Sequence, residues 1–286
     1  MQLRLRTILT ISFVALSSLP LLLGLVIVDP LMVKIEVEET ADHFATMASV
    51  AESRLEAALD RATDQIRIAG HDPDFREALV QWQANPDSNH LVQIRRKLLG
   101  TLEASPALNA IYLFDPDGKP ITGTADIPDA ASLAIEEDSR PVTLLPAESS
   151  IKLRTHEPLV HGGKVIGHLV ADGPAEFVWE LVAENTGVSL SGEWLVAQRD
   201  ADGHALFVSP LKKEPGAPFQ RRVYKHQSRV PITQALQGNE EKFLEAPDYR
   251  NETVVAATRY LEDYDIGLVI KADRAEVLAG TNQIRW

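Results

Sequence analysis

The chain reads as an α+β protein: an N-terminal transmembrane helix that continues into a long helix carrying two antiparallel-sheet modules. Three observations lead there. Ile8 to Val28 is an uncharged apolar run of about 20 residues, the length at which a helix crosses the hydrocarbon core of a bilayer. Beyond it, small and apolar side chains recur at steps of four and three through residues 31–70, which is the helical period. Further on, short apolar segments flank Asp- and Gly-rich turns in two successive groups, the pattern of paired hairpins.

Arg4 and Arg6 precede the apolar run and Asp29 follows it. The positive-inside rule then keeps the N-terminus in the cytoplasm and exports the rest, so residues from about 30 onward are expected in the periplasm of a bacterial inner membrane. A cleaved signal peptide is the competing reading of such a start. Against it, the run exceeds the usual h-region, and Val26, Val28, Asp29 and Pro30 make poor cleavage context.

Composition excludes several functions. Among 286 residues, 41 are acidic and 28 basic, a formal charge of -13 with no basic patch, so nucleic acid is not an expected partner. Cysteine is absent, which removes disulfides, thiolate metal sites and cysteine nucleophiles. No Gly-x-Ser-x-Gly elbow, phosphate-cradling glycine loop or His-Glu-x-x-His occurs, and neither catalysis nor a cofactor is implied.

In order, Leu31 to about Ala69 forms one long helix with a seam of Phe44, Ala48, Ala51, Leu55, Ala58, Ala62, Ile66 and Ala69. That seam has two readings: packing on the chain's own sheets, or homodimerisation against a second copy. Gly70 and Asp72-Pro73 end the helix or bend it. A second helix starts near Asp74 and covers Phe75, Leu79 and Trp82; a third carries Leu91, Ile94, Leu98, Leu99 and Leu102. Ala110 to Phe114 is a strand, Asp115-Pro116-Asp117-Gly118 a turn, and Lys119 to Thr124 the return strand. Thr122 to Glu148 reads as a polar connection with a short helix around Ala130 to Ile135. Ile151 to Leu159 and Lys164 to Asp172 form a hairpin about His161-Gly162-Gly163, and Pro174 to Glu184 a helix with proline in its first turn.

The order then partly repeats. Glu193 to Gln198 pairs with Ala205 to Pro210, Val230 to Gln237 is a short helix closed by Gly238, and Thr253 to Tyr260 pairs with Ile266 to Lys271 across a turn at 261–265. A final helix begins at Asp273 to Leu278. The expected division is 1–30 cytoplasmic start and transmembrane helix, 31–70 stalk helix, 71–186 membrane-distal module, 187–279 membrane-proximal module, and 280–286 the link toward a second transmembrane helix.

The segments LNAIYLFDPDGKPI, EPLVHGGKVIGHLVAD, WLVAQRDADGHALFVSPL and YRNETVVAATRYLEDYDIGLVIKADRAEVLAG, in that order, resemble the double Cache sensor region of bacterial transmembrane receptors. The resemblance implies two PAS-like sheets strung on the long helix and a small-molecule ligand on the distal one. It implies the sensing half of a receptor, a sensor histidine kinase before a diguanylate cyclase or chemoreceptor, with output beyond Trp286. The alternative is a single-pass anchored protein that docks another protein through its sheets. By the same resemblance Asp172 stands where amino-acid-binding members place an aspartate on the ligand's ammonium. Their accompanying Arg, Trp and Tyr signature is missing, with Arg140-Pro141-Val142 in the corresponding region, so amino-acid specificity is not carried over.

The candidate ligand-binding residues are Asp172, Arg154, Tyr112, His156 and Arg140. Asp172 at a strand end suits a cationic group or, equally, serves as N-cap of the helix after it. Arg154 suits a carboxylate by bidentate hydrogen bonding, or simply faces solvent. His156, His161 and His168 lack a metal-ligand spacing, and no metal is expected. Asp115, Asp117 and Gly118, like Asp200, Asp202 and Gly203, have turn chemistry without the later ligands of a calcium loop.

Overall fold

A single helix, α1 (Asp29–His71), has 43 residues and so runs roughly 65 Å. Val37, Ala41, Phe44, Ala48, Ala51, Leu55, Leu59, Ala62 and Ile66 are buried along it, an unbroken sequence of three- and four-residue steps that keeps one stripe facing inward. Leu59 takes the buried place expected of Ala58, which is half-buried. The stripe packs on both sheets of its own chain, sharing one core with Leu144 and Leu153 of the first and Val196, Leu268 and Ile270 of the second. Of the two readings of the seam, the structure shows the first: the chain's own sheets occupy this stripe.

The computed structural model describes residues 10, 12–18, 29–86, 88–127, 140–148, 150–183 and 190–283. The apolar run Ile8–Val28 falls mostly outside them; of it, 10 and 12–18 are helical. Among the described residues no helix is long and apolar enough to cross a membrane.

Helix α2 (Pro73–Ala84) starts where the Asp72 carboxylate accepts from the amides of Asp74 and Phe75, with proline at its first position. With α3 (Ser88–Ala104) it covers one face of the first sheet: Phe75, Leu79, Ile94 and Leu98 meet Ile111, Leu113, Leu159 and Leu169. That sheet consists of β1 (Ala110–Phe114), β2 (Pro120–Gly123), β3 (Val142–Pro146), β4 (Ile151–His161) and β5 (Lys164–Pro174), in the order β2-β1-β5-β4-β3. Gly118, Gly162 and Gly163 have positive φ in the two hairpin turns, where a side chain would be strained. Strand β3 corrects the reading of 122–148 as connection throughout; the helix expected at Ala130 to Ile135 lies outside the described residues. Pro174 closes β5, and α4 (Glu176–Ala183) begins only after it.

The second sheet has β6 (Glu193–Arg199), β7 (Ala205–Phe207), β8 (Arg222–Val223), β9 (Lys242–Pro247), β10 (Thr253–Leu261) and β11 (Ile266–Asp273), in the order β8-β7-β6-β11-β10-β9. Its last five positions repeat the strand order of the first sheet. Short helix α5 (Pro231–Ala235) lies on it, and α6 (Arg274–Gln283) leaves directly from β11. Replacing Leu59, fully buried at the middle of the stripe, with Ala is expected to cost about 2–5 kcal/mol in denaturant unfolding while leaving the oligomeric state in sedimentation unchanged.

Candidate functional site: the charged face of the first sheet

Successive strand residues point to opposite faces. With one face on the helices, the other receives Ala110, Tyr112 and Phe114 from β1, Lys152, Arg154 and His156 from β4, and His168, Val170 and Asp172 from β5. Pairing fixes their neighbours: Asp172 lies between Ala110 and Arg154, and Val170 between Tyr112 and His156. Four of the five expected site residues thus share one face.

Their charges are already paired. Arg154 grips Asp172 in bidentate fashion, Nε to Oδ1 at 2.6 Å and Nη2 to Oδ2 at 2.8 Å, and Lys152 Nζ adds a contact to Oδ2 at 2.9 Å. Burial alone would raise the Asp172 carboxyl, but the hydrogen bonds and charges of Arg154 and Lys152 outweigh it and hold it below its ordinary value. The side chain is spent on these cations and caps no helix. Burial, with the neighbouring Asp172 charge, pushes the Tyr112 phenol up, and its hydroxyl has no hydrogen-bond partner among the described residues.

His156 Nε2 lies 2.9 Å from His168 Nδ1, the rings stacked with centroids 5.0 Å apart. One nitrogen must donate and the other accept, so the two rings cannot both be protonated. Burial, aided by the His168 charge, lowers His156 to about 4; burial also lowers His168, against the Pro116 carbonyl and Asp115. His161 is exposed at the hairpin turn, apart from this pair.

Arg140 does not join the cluster. Its guanidinium donates to the carbonyl of Arg199 at the end of β6 at 2.7 Å and stands 3.5 Å from Asp265 in the turn between β10 and β11. Beside it Gln198 makes a second tie: its amide accepts from Leu144 N at 3.1 Å and donates to Leu144 O at 2.9 Å, bonding β3 as a backbone neighbour would. Gln198 was not foreseeable, because the paired backbone lies in a strand the sequence hides.

No protein-family model and no curated protein matches the chain. Solved structures do. The sensory domain of the Campylobacter jejuni chemoreceptor Tlp3 superposes with a TM-score of 0.56 at 16% identity, covering 87% of this chain and 99% of that one. An extracellular domain named for a histidine kinase, mmHK1S-Z2, gives 0.53 at 14% identity over 85% and 99%. A Vibrio parahaemolyticus domain named for a sensory box/GGDEF family protein gives 0.52 at 12% over 85% and 99%. The chain has the fold of a double Cache sensor region.

In this double Cache fold the second sheet answers the first with inverted charge. Lys271 pairs with Glu193 and stands two residues before the end of β11, as Asp172 does in β5. It is 1% exposed, with Nζ 2.8 Å from both Glu193 and Asp248 and 5.0 Å from the Tyr249 ring centroid. The Tyr249 hydroxyl reaches Glu193 at 3.2 Å, and Arg250 holds Asp248 at 2.8 Å. Leu211, Ala217, Val223, Val230, Ile232 and Leu236 fill the rest of that face. Sequence reasoning missed this network, since a lysine inside the run IGLVIKAD gives no sign of its partners.

Lys271→Met should cost about 3–5 kcal/mol in chemical unfolding, because it removes the buried cation between two buried carboxylates and leaves Glu193 with neutral donors. The histidine pair sets a pH response. His156 titrates near 6.5 when unfolded and about 4 when folded, so between those values the unfolded chain holds the extra proton and stability falls as pH falls. Melting temperature should decline from pH 6.5 toward 4, and His156→Phe should flatten the decline.

Proposed function

We propose that the chain is the extracytoplasmic ligand-sensing region of a membrane-bound signal-transduction receptor, with a sensor histidine kinase as the favoured parent, anchored in a bacterial inner membrane and facing the periplasm. The observation that carries this reading is the contrast between equivalent faces. The second sheet's face is packed by its own chain around Lys271, whereas on the first the buried Tyr112 hydroxyl, beside two cations, has no hydrogen-bond partner among the described residues. Similar structures support it: Tlp3 is described with isoleucine and with L-valine bound.

Ligand binding drives a switch only through unequal affinity for two states. The physical route starts at Arg154, which pairs across the ladder with Thr143 of β3. Strand β3 is bonded to Gln198 of β6, and β6 pairs with β11, which continues into α6. Glu276 of α6 accepts from the amides of Leu190 and Ser191, each at 2.6 Å, so the start of this helix is clamped to the segment that leads into β6.

Two measurements on the full chain test the reading. The absence of cysteine allows single-cysteine topology mapping in bacterial cells: Ala201→Cys should react with a membrane-impermeant maleimide added outside the inner membrane, and Gln2→Cys should not. In detergent, the tryptophan-monitored melting temperature should rise with at least one member of a panel of amino acids, amines and carboxylates, since a ligand at 100 times Kd adds about 2.7 kcal/mol. Labelling of Gln2→Cys, or no shift across the panel, contradicts it.

A further inference from the structure

Deepening the sensor reading, on which its signalling role rests, we propose that Arg140 is a releasable latch between the two sheets. Engaged, it holds the first sheet against the turn at 262–265; released, it lets like charges across the neighbouring cleft swing the sheets apart about the bonds between Gln198 and Leu144.

The turn couples the sheets to the exit helix. It joins β10 to β11, and β11 continues into α6. Asp265 closes it in left-handed backbone, φ 52° and ψ 44°, a conformation seldom taken by residues with a side chain. The Asp265 carboxylate accepts from Arg199 Nε at 3.1 Å and from the Tyr260 hydroxyl at 3.1 Å. Tyr264 in the same turn donates to Asp60 of α1. The turn is thus fixed to the second sheet and to the long helix.

Its attachment to the first sheet is weaker. Arg140 Nε stands 3.5 Å from Asp265 with its side chain 31% exposed, and one bond to the Arg199 carbonyl completes the hold. Water replaces exposed contacts of this kind at small cost. Four residues further on, both backbone groups of Leu144 are bonded by buried Gln198, and a buried amide does not give up its bonds so readily. The firm neutral tie is the hinge and the exposed ionic one is the latch.

The cleft supplies the force. A space of about 550 Å3 begins at Pro141 and is bounded by Glu157 of β4, by Asp60, Asp64 and Arg67 of α1, and by Asp263 of the turn. Arg67 is spent on Asp64. The ion-pair contact of Glu157 is His71 at 3.6 Å, which counts only when that ring is protonated. Asp263 has no ion pair among the described residues. Charges of one sign therefore face the cleft from the first sheet, the helix and the turn, and their repulsion opposes the closed arrangement that Arg140 maintains.

The absence of cysteine allows spin labels to read the hinge. In the full chain in detergent without ligand, double electron–electron resonance between Lys164→Cys and Ala201→Cys, both exposed at hairpin ends, should give one narrow distance. Arg140→Ala should add a second population displaced by more than about 2 Å. Asp263→Asn in that background, or about 1 M salt, where charges are screened within about 3 Å, should return it toward the first. Arg140→Gln, which keeps a donor for the Arg199 carbonyl and loses the charge, is the second variant if Arg140→Ala loses its near-ultraviolet circular dichroism. An unchanged distribution overturns the latch, and a displaced population indifferent to salt and to Asp263→Asn overturns the charge-driven hinge. Neither result touches the sensor reading, because no ligand enters the measurement.

Discussion

Burial of one stripe of α1 by two separate sheets is the constraint on which the rest depends. Neither sheet has another helix of comparable length to cover its inner face. Ala41, Ala48, Ala51 and Ala62 are buried without bulk, so strands approach the helix closely, and Phe44, Leu55, Leu59 and Ile66 fill the spaces between. A helix this long, packed by its own chain on both levels, is a rigid rod to which each sheet is referenced. Gln198 and Arg140 then fix the sheets to each other at the β3 edge. A displacement of β4 in one sheet cannot be absorbed locally without straining those ties or the packing on α1.

The two sheets solve the same topology with opposite electrostatics. In the first, a carboxylate on the last strand is held by two cations from its neighbour. In the second, a lysine at the corresponding place is held by two carboxylates and an aromatic ring. The second arrangement is complete within the chain: every charge has a partner and the face is covered by 211–236, so it acts as a fixed platform for α6. In the first, the Tyr112 hydroxyl beside those cations has no hydrogen-bond partner among the described residues.

Much of this was legible in the sequence where periodicity was strong. The long helix, both of the helices after it and the longer hairpins follow from spacing and from Gly and Asp turns. The Gly162-Gly163 turn even sets the register that pairs Arg154 with Asp172, although a bulge between Leu159 and Val160 intervenes. Three strands were not legible. β3 and β9 are short outer strands, where one side of the ladder is open and alternation is weak; β8 has two residues. The site was legible as residue types on neighbouring strands but not as a closed ion cluster, because Lys152 had no signal of its own. That Arg140 stands apart from the other four was hidden for want of β3: once that strand exists, the residue two before it reaches Arg199 and Asp265.

The central claim, that a single helix binds both sheets into one unit, is tested most directly by scanning calorimetry of the full chain. One cooperative transition is predicted, with calorimetric and van't Hoff enthalpies in agreement. Two resolved transitions, one for each sheet, would contradict it.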